Sequence, residues 1–143
     1  MTMSKDLLAQ WHQLQRKMAG FHSGDPVATS IWTPNTDIYE TPHGLVVKVE
    51  LPGVPPNNVQ VQLGEDALVI EGVRRDPYSG ETSAGHRFRQ MEIEYGPFRR
   101  VIALPYAVNA QEARARFENG FLEVTLARAK QKSKKGVLVI VQS

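Results

Sequence analysis

The chain has 143 residues, of which 41% are hydrophobic and 22% are charged, and it contains no cysteine. This size and balance are typical of one globular domain with short extensions, and the missing cysteine excludes disulfide bonds, thiolate metal sites and thiol nucleophiles. The formal net charge is +2, but the basic excess is local, because five cations lie together near the end: Arg128, Lys130, Lys132, Lys134 and Lys135. Such a run is typical of a solvated tether, so no nucleic-acid partner and no stable membrane association are expected.

The first thirty residues predict an amphipathic arm. In DLLAQWHQLQRKMAGF the apolar side chains recur at spacings of three and four, which places them on one helix face. They are Leu7, Trp11, Leu14, Met18 and Phe21. Gly20, Gly24 and Pro26 end the pattern, so we place an N-terminal arm at 1–30. No stretch approaches the ~20 apolar residues of a membrane span, and the start lacks a signal-peptide pattern, which favours a cytoplasmic location.

From Ile31 onward the period changes from helical to alternating, which predicts an all-β sandwich of about eight strands between residues 35 and 127. GLVVKVELPG predicts a strand that Pro52-Gly53 ends. NVQVQLGEDALVIEG predicts a hairpin that turns at 64–66. Asn119-Gly120 predicts a tight hairpin, since both positions of such a turn require positive φ.

The middle of the chain predicts a loop followed by two strands. The polar segment 74–85 is typical of a long loop. QMEIEYGPFRRVIALP then predicts a strand over 91–95, with Met91, Ile93 and Tyr95 on one face. A turn at Gly96-Pro97 leads into a second strand that Pro105 ends.

The sequence shows little sign of catalytic chemistry. The histidines lie in four different segments without metal-ligand spacing: His12, His22, His43 and His86. Glu92 and Glu94 could act as an acid/base pair, but a solvent-exposed strand face shows the same spacing. Arg87, Phe88 and Arg89 interleave like a single-strand nucleic-acid binder, yet also like any amphipathic strand. Without a phosphate loop or nucleophile elbow, we expect no enzyme activity, no catalytic residue, no cofactor and no metal.

Several stretches, in conserved order, resemble the small heat-shock protein family (Hsp20, alpha-crystallin domain) of bacterial and plant-like type. They are WTPNTDIYET (32–41), VELPGV (49–54), LVIEGVRR (68–75), HRFRQMEIEYGPFRRVIALP (86–105) and ARFENGFLEVTL (115–126). The fourth holds a G-x-F-x-R motif at Gly96, Phe98 and Arg100, and the fifth fits A-x-x-x-N-G-x-L through Ala115, Asn119, Gly120 and Leu122. The resemblance implies an immunoglobulin-like sandwich at 31–128, between the arm at 1–30 and a flexible C-terminal extension at 129–143.

The resemblance also implies an activity. Members of the family are ATP-independent holdase chaperones that bind partly unfolded proteins before they aggregate. The implied client-binding residues are Leu7, Leu8, Trp11, Leu14, Met18, Phe21, Ile31 and Trp32. The same apolar stripe could instead pack inside an oligomer. A non-oligomeric β-sandwich co-chaperone or adaptor is the alternative function.

Relatives of this type form dimers by sending a strand from the long loop into the sheet of a second copy. Here the loop would be 74–90, and its strand near 86–89 would pair beside 37–41. The implied dimerisation residues are Asp37, Ile38, Tyr39, His86, Arg87, Phe88 and Arg89.

The C-terminal VLVIV segment, 137–141, resembles the family's tail anchor, which joins dimers into larger homo-oligomers. The implied groove lies between the strands near 58–63 and 112–117 of a neighbouring dimer, lined by Val59, Val61, Leu63, Ala113, Ala115 and Phe117. In a strand Val137, Val139 and Val141 face one way and Leu138 and Ile140 the other. The ending favours Val139-x-Val141, while either face could enter the groove.

Overall fold

The computed structural model describes residues 32–78, 80, 84–131 and 136–143, and these ranges fold into two β-sheets packed face to face. The strands are β1 (Thr36–Thr41), β2 (Gly44–Glu50), β3 (Val59–Leu63), β4 (Ala67–Arg74), β5 (Gly96–Ala103), β6 (Arg114–Glu118), β7 (Phe121–Ala127), β8 (Val137–Val139) and β9 (Val141–Gln142). One sheet has the order β1-β2-β7-β6-β9 and the other β5-β4-β3-β8. The predicted all-β sandwich is confirmed.

Short turns set the register of two hairpins, as the sequence predicted. Leu63 pairs with Leu68 where β3 turns into β4, and the amide of Gly64 donates to the carbonyl oxygen of Ala67 at 2.9 Å. Between β6 and β7, Asn119 and Gly120 adopt φ of 54° and 79°. Two consecutive positive φ angles give the twist that joins adjacent antiparallel strands without splaying them.

The core lies between the sheets and is built from alternate residues of the inner strands. The largest fully buried side chains include Val47, Val49, Val61, Leu63, Leu68, Ile70, Phe98, Leu122 and Val124. Burying each side chain contributes roughly 1.5–3 kcal/mol. Two short 3-10 helices, Pro56–Asn58 and Ala110–Glu112, lead into β3 of one sheet and β6 of the other.

Two local predictions are wrong. Residues 91–95 form no strand, because none of the described strands lies beside them to take their backbone hydrogen bonds. Gly96 and Pro97 do not turn the chain but begin β5, where Gly96 pairs with Arg74. Proline is tolerated there because β5 is an edge strand. The region predicted to hold about eight strands has seven among its described residues.

Candidate functional site

The C-terminal segment occupies the edge of the sandwich where the two sheets come together. β8 pairs antiparallel with β3, matching Val139 to Val61. β9 pairs parallel with β6, matching Val141 to Ala115. The segment thus crosses from one sheet to the other and lies between β3 and β6, the two strands between which the family resemblance implies a groove for the tail of a neighbouring dimer. In this structure it belongs to the same chain as the groove.

The groove-lining residues are also core residues. The buried members are Val59, Val61, Leu63, Ala113 and Ala115, and Phe117 packs half-buried against them. The sequence left open which of these side chains serve the core and which serve the groove. In this structure the same side chains belong to both the core and the groove, because the 137–141 segment adds to the hydrophobic core at the open edge of the sandwich.

The two faces of the 137–141 segment have different surroundings. Val139 is 6% exposed and belongs to the hydrophobic core, and Val141 packs against it. Leu138 is also buried, but it pairs beside Gln62, on the outer side of the sheet. A cleft of about 230 Å³ lies beside the segment, bordered by residues 138–141 together with Pro56, Asn57, Val59 and Gln60. Val137 is half-buried. In this arrangement the valine face meets the core and the Leu138/Ile140 face does not.

The second predicted interaction surface begins at β1. This strand pairs with β2 on one side only, so the backbone groups of its other edge have no strand partner within the described sheets. Ile38 and Tyr39 are each 48% exposed, and Asp37 is exposed beside them. A free edge of this kind is a template for pairing with another chain.

The loop residues predicted to pair with β1 lie elsewhere. His86, Arg87, Phe88 and Arg89 are exposed and are not in a strand. The ring of Phe88 packs edge-on against Tyr78, with centroids 4.9 Å apart. The structure therefore brings together the tail and its groove, but it does not bring 86–89 against 37–41 within one chain.

The predicted client-binding arm is mostly outside the described residues, which include only its last member, Trp32. That residue is 8% exposed rather than displayed. Its Nε1 donates to the carbonyl oxygen of Gly96 at 2.9 Å, and its ring stacks edge-to-face on Phe98 at 5.3 Å. In the single chain its indole completes the core, because its one polar atom has a partner there, and its implied role in client binding stays a prediction.

Sequence reasoning missed Arg74, whose guanidinium lies 3.8 Å from the centre of the Trp32 ring. Burial lowers the pKa of Arg74, while the charges of Tyr95 and Glu94 act in the opposite direction. The group stays protonated at neutral pH, since an arginine starts from a pKa far above it. The only sequence feature that pointed to Arg74 was its position at the end of an apolar strand. An arginine exposed to solvent would occupy the same position.

Within the ranges that the structure describes, no three metal-binding side chains converge. None of the helices described there is long and apolar enough to cross a membrane.

Comparisons with known proteins agree with the two-sheet β-sandwich. The profile described as "Hsp20/alpha crystallin family" matches residues 37–142. Small heat shock protein C2 of Rickettsia felis is 37% identical over 98 residues, which are 68% of this chain and 62% of that protein, so the match spans less than two thirds of it. Heat shock protein 16 of Schizosaccharomyces pombe is 33% identical over 76% of this chain and 75% of its own length.

Solved structures give the same result. Heat shock protein 16.0 from Schizosaccharomyces pombe superimposes with a TM-score of 0.66 at 33% identity, covering 74% of this chain and 81% of that one. The hspA protein from Xanthomonas axonopodis superimposes with a TM-score of 0.62 at 34% identity, covering 73% of this chain and 100% of that one.

Proposed function

The chain belongs to the Hsp20/alpha crystallin family, whose members are small heat-shock chaperones and not enzymes, and we propose on that premise that it is an ATP-independent holdase. It binds partly unfolded proteins and keeps them from aggregating during stress. Its partners are further copies of this chain and its unfolded clients, and its compartment is the cytoplasm. No step of this activity needs a catalytic residue or a cofactor.

The observation that best supports the proposal is the place of the VLVIV segment. A strand that completes a hydrophobic core at an open edge can be supplied by the same chain or by another copy. Val139 and Val141 need only the groove between β3 and β6, and every copy presents the same groove. In the assembly, tails of neighbouring dimers occupy these grooves and link the dimers.

The energy of one such contact is small. Burying two valine side chains contributes roughly 3–6 kcal/mol, while ordering four or five tail residues costs about 1–2 kcal/mol each. Main-chain pairing with β3 and β6 and the high local concentration of grooves in an assembly supply the remainder. The contact is therefore reversible, and subunits exchange on heating or dilution.

The dimer in this proposal uses the free edge of β1. Segment 86–89 from one copy adds to this edge of a second copy, where Ile38 and Tyr39 are half exposed. The loop lacks a strand in the single chain because its hydrogen-bonding partner would be the other copy. Addition of this strand would order segment 86–89 and would at the same time cover Ile38 and Tyr39.

Light scattering from a heat- or reductant-unfolded model protein, without ATP, tests the activity directly. We expect scattering to fall as the chain is added up to a stoichiometric amount. A chain denatured beforehand is the matched control and should not protect. Unchanged scattering at stoichiometric amounts would overturn the holdase proposal.

The alternative is a monomeric sandwich that serves as a co-chaperone or adaptor. The closed groove favours it, since the chain can fill its own groove. Multi-angle light scattering across a range of concentrations separates the two. A single mass equal to one chain at every concentration would support the adaptor, whereas dimers and larger species support the holdase.

A further inference from the structure

A cluster at one end of the sandwich is not used by the proposed function. Arg74, the last residue of β4, is 9% exposed. Its Nε donates to the carbonyl oxygen of Glu94 at 2.8 Å, and its Nη2 donates to the same oxygen. Its Nη1 donates to the carbonyl oxygen of Pro52 at 3.1 Å. The cation is therefore bound by main-chain oxygens from two separate segments.

Aromatic rings cover the same cation. The Arg74 Cζ lies 3.8 Å from the centre of the Trp32 ring and 5.5 Å from that of Tyr95. A desolvated guanidinium on a tryptophan face is a favourable contact. One side chain thus joins three segments: Trp32, which precedes β1; Pro52, which follows β2; and 94–95, directly before β5.

The contacts continue from this point into the loop. The Tyr95 ring lies 6.1 Å from Tyr78, Tyr78 lies 4.9 Å from Phe88, and Phe88 lies 6.2 Å from His86. An unbroken series of side-chain contacts therefore runs from Trp32 through Arg74 to segment 86–89.

We propose that Arg74 is a positioning residue that couples the seating of Trp32 to the order of the loop between 86 and 95. The planar guanidinium offers donors in a fixed fork and a flat face at the same time. When Trp32 leaves, water reaches the cation and competes with the Glu94 carbonyl oxygen for its donors. The loop end then loses its anchor, so the two segments order and loosen together.

The coupling has a consequence that rests on the proposed function. Residues 1–30 are the proposed client-binding arm, and 86–89 is the proposed dimer strand. A client that pulls the arm and unseats Trp32 would weaken the dimer contact, and dimerisation would in turn favour a seated Trp32. Arg74 carries the part of this reciprocal effect that reaches Glu94, beside the direct hydrogen bond from Trp32 to Gly96.

A double-mutant cycle in the full-length chain tests the coupling. Amide hydrogen exchange of residues 86–95 is measured by mass spectrometry in the unchanged chain, Trp32→Phe, Arg74→Lys and the double variant. Each single variant should speed exchange about 3- to 30-fold, the range expected for losing a stacked cation. The double variant should add less than about twofold to the larger single effect, because either change alone already breaks the coupling.

Controls separate coupling from general destabilisation. Arg99→Lys alters a half-exposed arginine of β5 and should leave exchange at 86–95 unchanged. Exchange in β3 and β7 reports the stability of the core, and Trp32→Tyr replaces Trp32→Phe if the double variant does not fold. Additive effects of the two changes, or exchange that rises equally in core and loop, would overturn the inference. Because exchange is read without any client, failure of the inference and failure of the holdase proposal are distinguishable.

Discussion

Gly72 of β4 is packed so closely against Asn58 and Phe98 that there is no room for a side chain at this position. A Cβ atom there would lie 2.2 Å from the carbonyl oxygen of Asn58 and 2.6 Å from Cζ of Phe98. Phe98 is fully buried, so its ring has little room to move. The glycine is required by packing rather than by backbone angles.

Gly72→Ala should therefore lower the free energy of unfolding by about 1–3 kcal/mol or more, the usual cost of overpacking a core. Urea unfolding followed by circular dichroism measures the change. Gly136→Ala is the control, because its Cβ would lie 3.4 Å from the flexible Gln62 side chain and should alter stability by less than about 0.5 kcal/mol. Equal effects of the two changes would contradict this reading of the contact.

Glu71 lies on the outer face of the four-stranded sheet, 7% exposed, with Oε2 3.4 Å from Nε of Arg99. Burial raises the pKa of its carboxyl above the ordinary value of 4.5, and the charge and hydrogen bond of Arg99 offset this only in part. Just above pH 4.5 the folded chain thus keeps a proton that the unfolded chain has released. Its contribution to the free energy of unfolding falls as pH rises through this window.

Glu71→Gln removes this proton uptake. The variant should gain stability relative to the unchanged chain as pH rises from about 4 to about 7, although it loses the contact with the half-exposed Arg99. Urea midpoints at several pH values give the difference. Glu65→Gln, in the exposed β3–β4 turn, is the control for removing one carboxylate from the chain. A difference that is flat or shrinks with pH would contradict the assigned direction.

The sequence predicts correctly those strands and turns that are determined by neighbouring residues in the chain. The hairpin at 119–120 follows from two residues that accept positive φ, and β2 follows from its own alternation. The segment 91–95 shows the limit of this reasoning. Its alternation is equally clear, but a strand also needs a neighbour, and alternation does not say whether that neighbour belongs to the same chain.

The alternation of the 137–141 segment likewise does not reveal which strands it pairs with or in which register. Its pairing with β3 and β6 sets one register, and only that register explains why Val139 and not Leu138 belongs to the core. A slip of one residue would exchange the two faces. Arg74 was missed for a related reason, since its partners at 32, 52 and 94 are brought together only by the complete sandwich.

Replacing Val139 and Val141 with glycine should reduce the assembly to dimers, because these side chains fill the core edge between β3 and β6. Replacing Leu138 and Ile140 with glycine loosens the backbone equally, but it removes side chains that do not belong to the core cluster. This second variant should therefore retain larger assemblies. Multi-angle light scattering measures both masses. If the second variant shrinks as much as the first, the outer face also binds; an unchanged mass in both would exclude the tail as a link.

The whole sandwich is built within one chain, because every inner strand is paired and the core is closed by the chain's own Trp32 at one end and its own tail at one edge. The residues that the proposed assembly would use are the β1 edge, the loop and the tail, and of these only the tail contributes to the core, through Val139.

Removing residues 1–30 should consequently leave a folded sandwich and weaken only the capture of clients. Removing residues 1–33 takes away Trp32 as well, and with it the cover of Phe98, the donor to the Gly96 carbonyl oxygen and the ring that lies on Arg74. This longer truncation should lose about 3 kcal/mol or more, as deletion of a buried aromatic side chain usually does. Urea unfolding compares the two truncations, and light scattering with an unfolded client measures capture.

Unfolding of the shorter truncation would move the domain boundary toward the N-terminus, whereas equal stability of the two truncations would show that Trp32 does not contribute to the core. Full client capture by the shorter truncation would instead place the client-binding surface on the sandwich itself, where the exposed side chains of β1 and the loop are the next candidates.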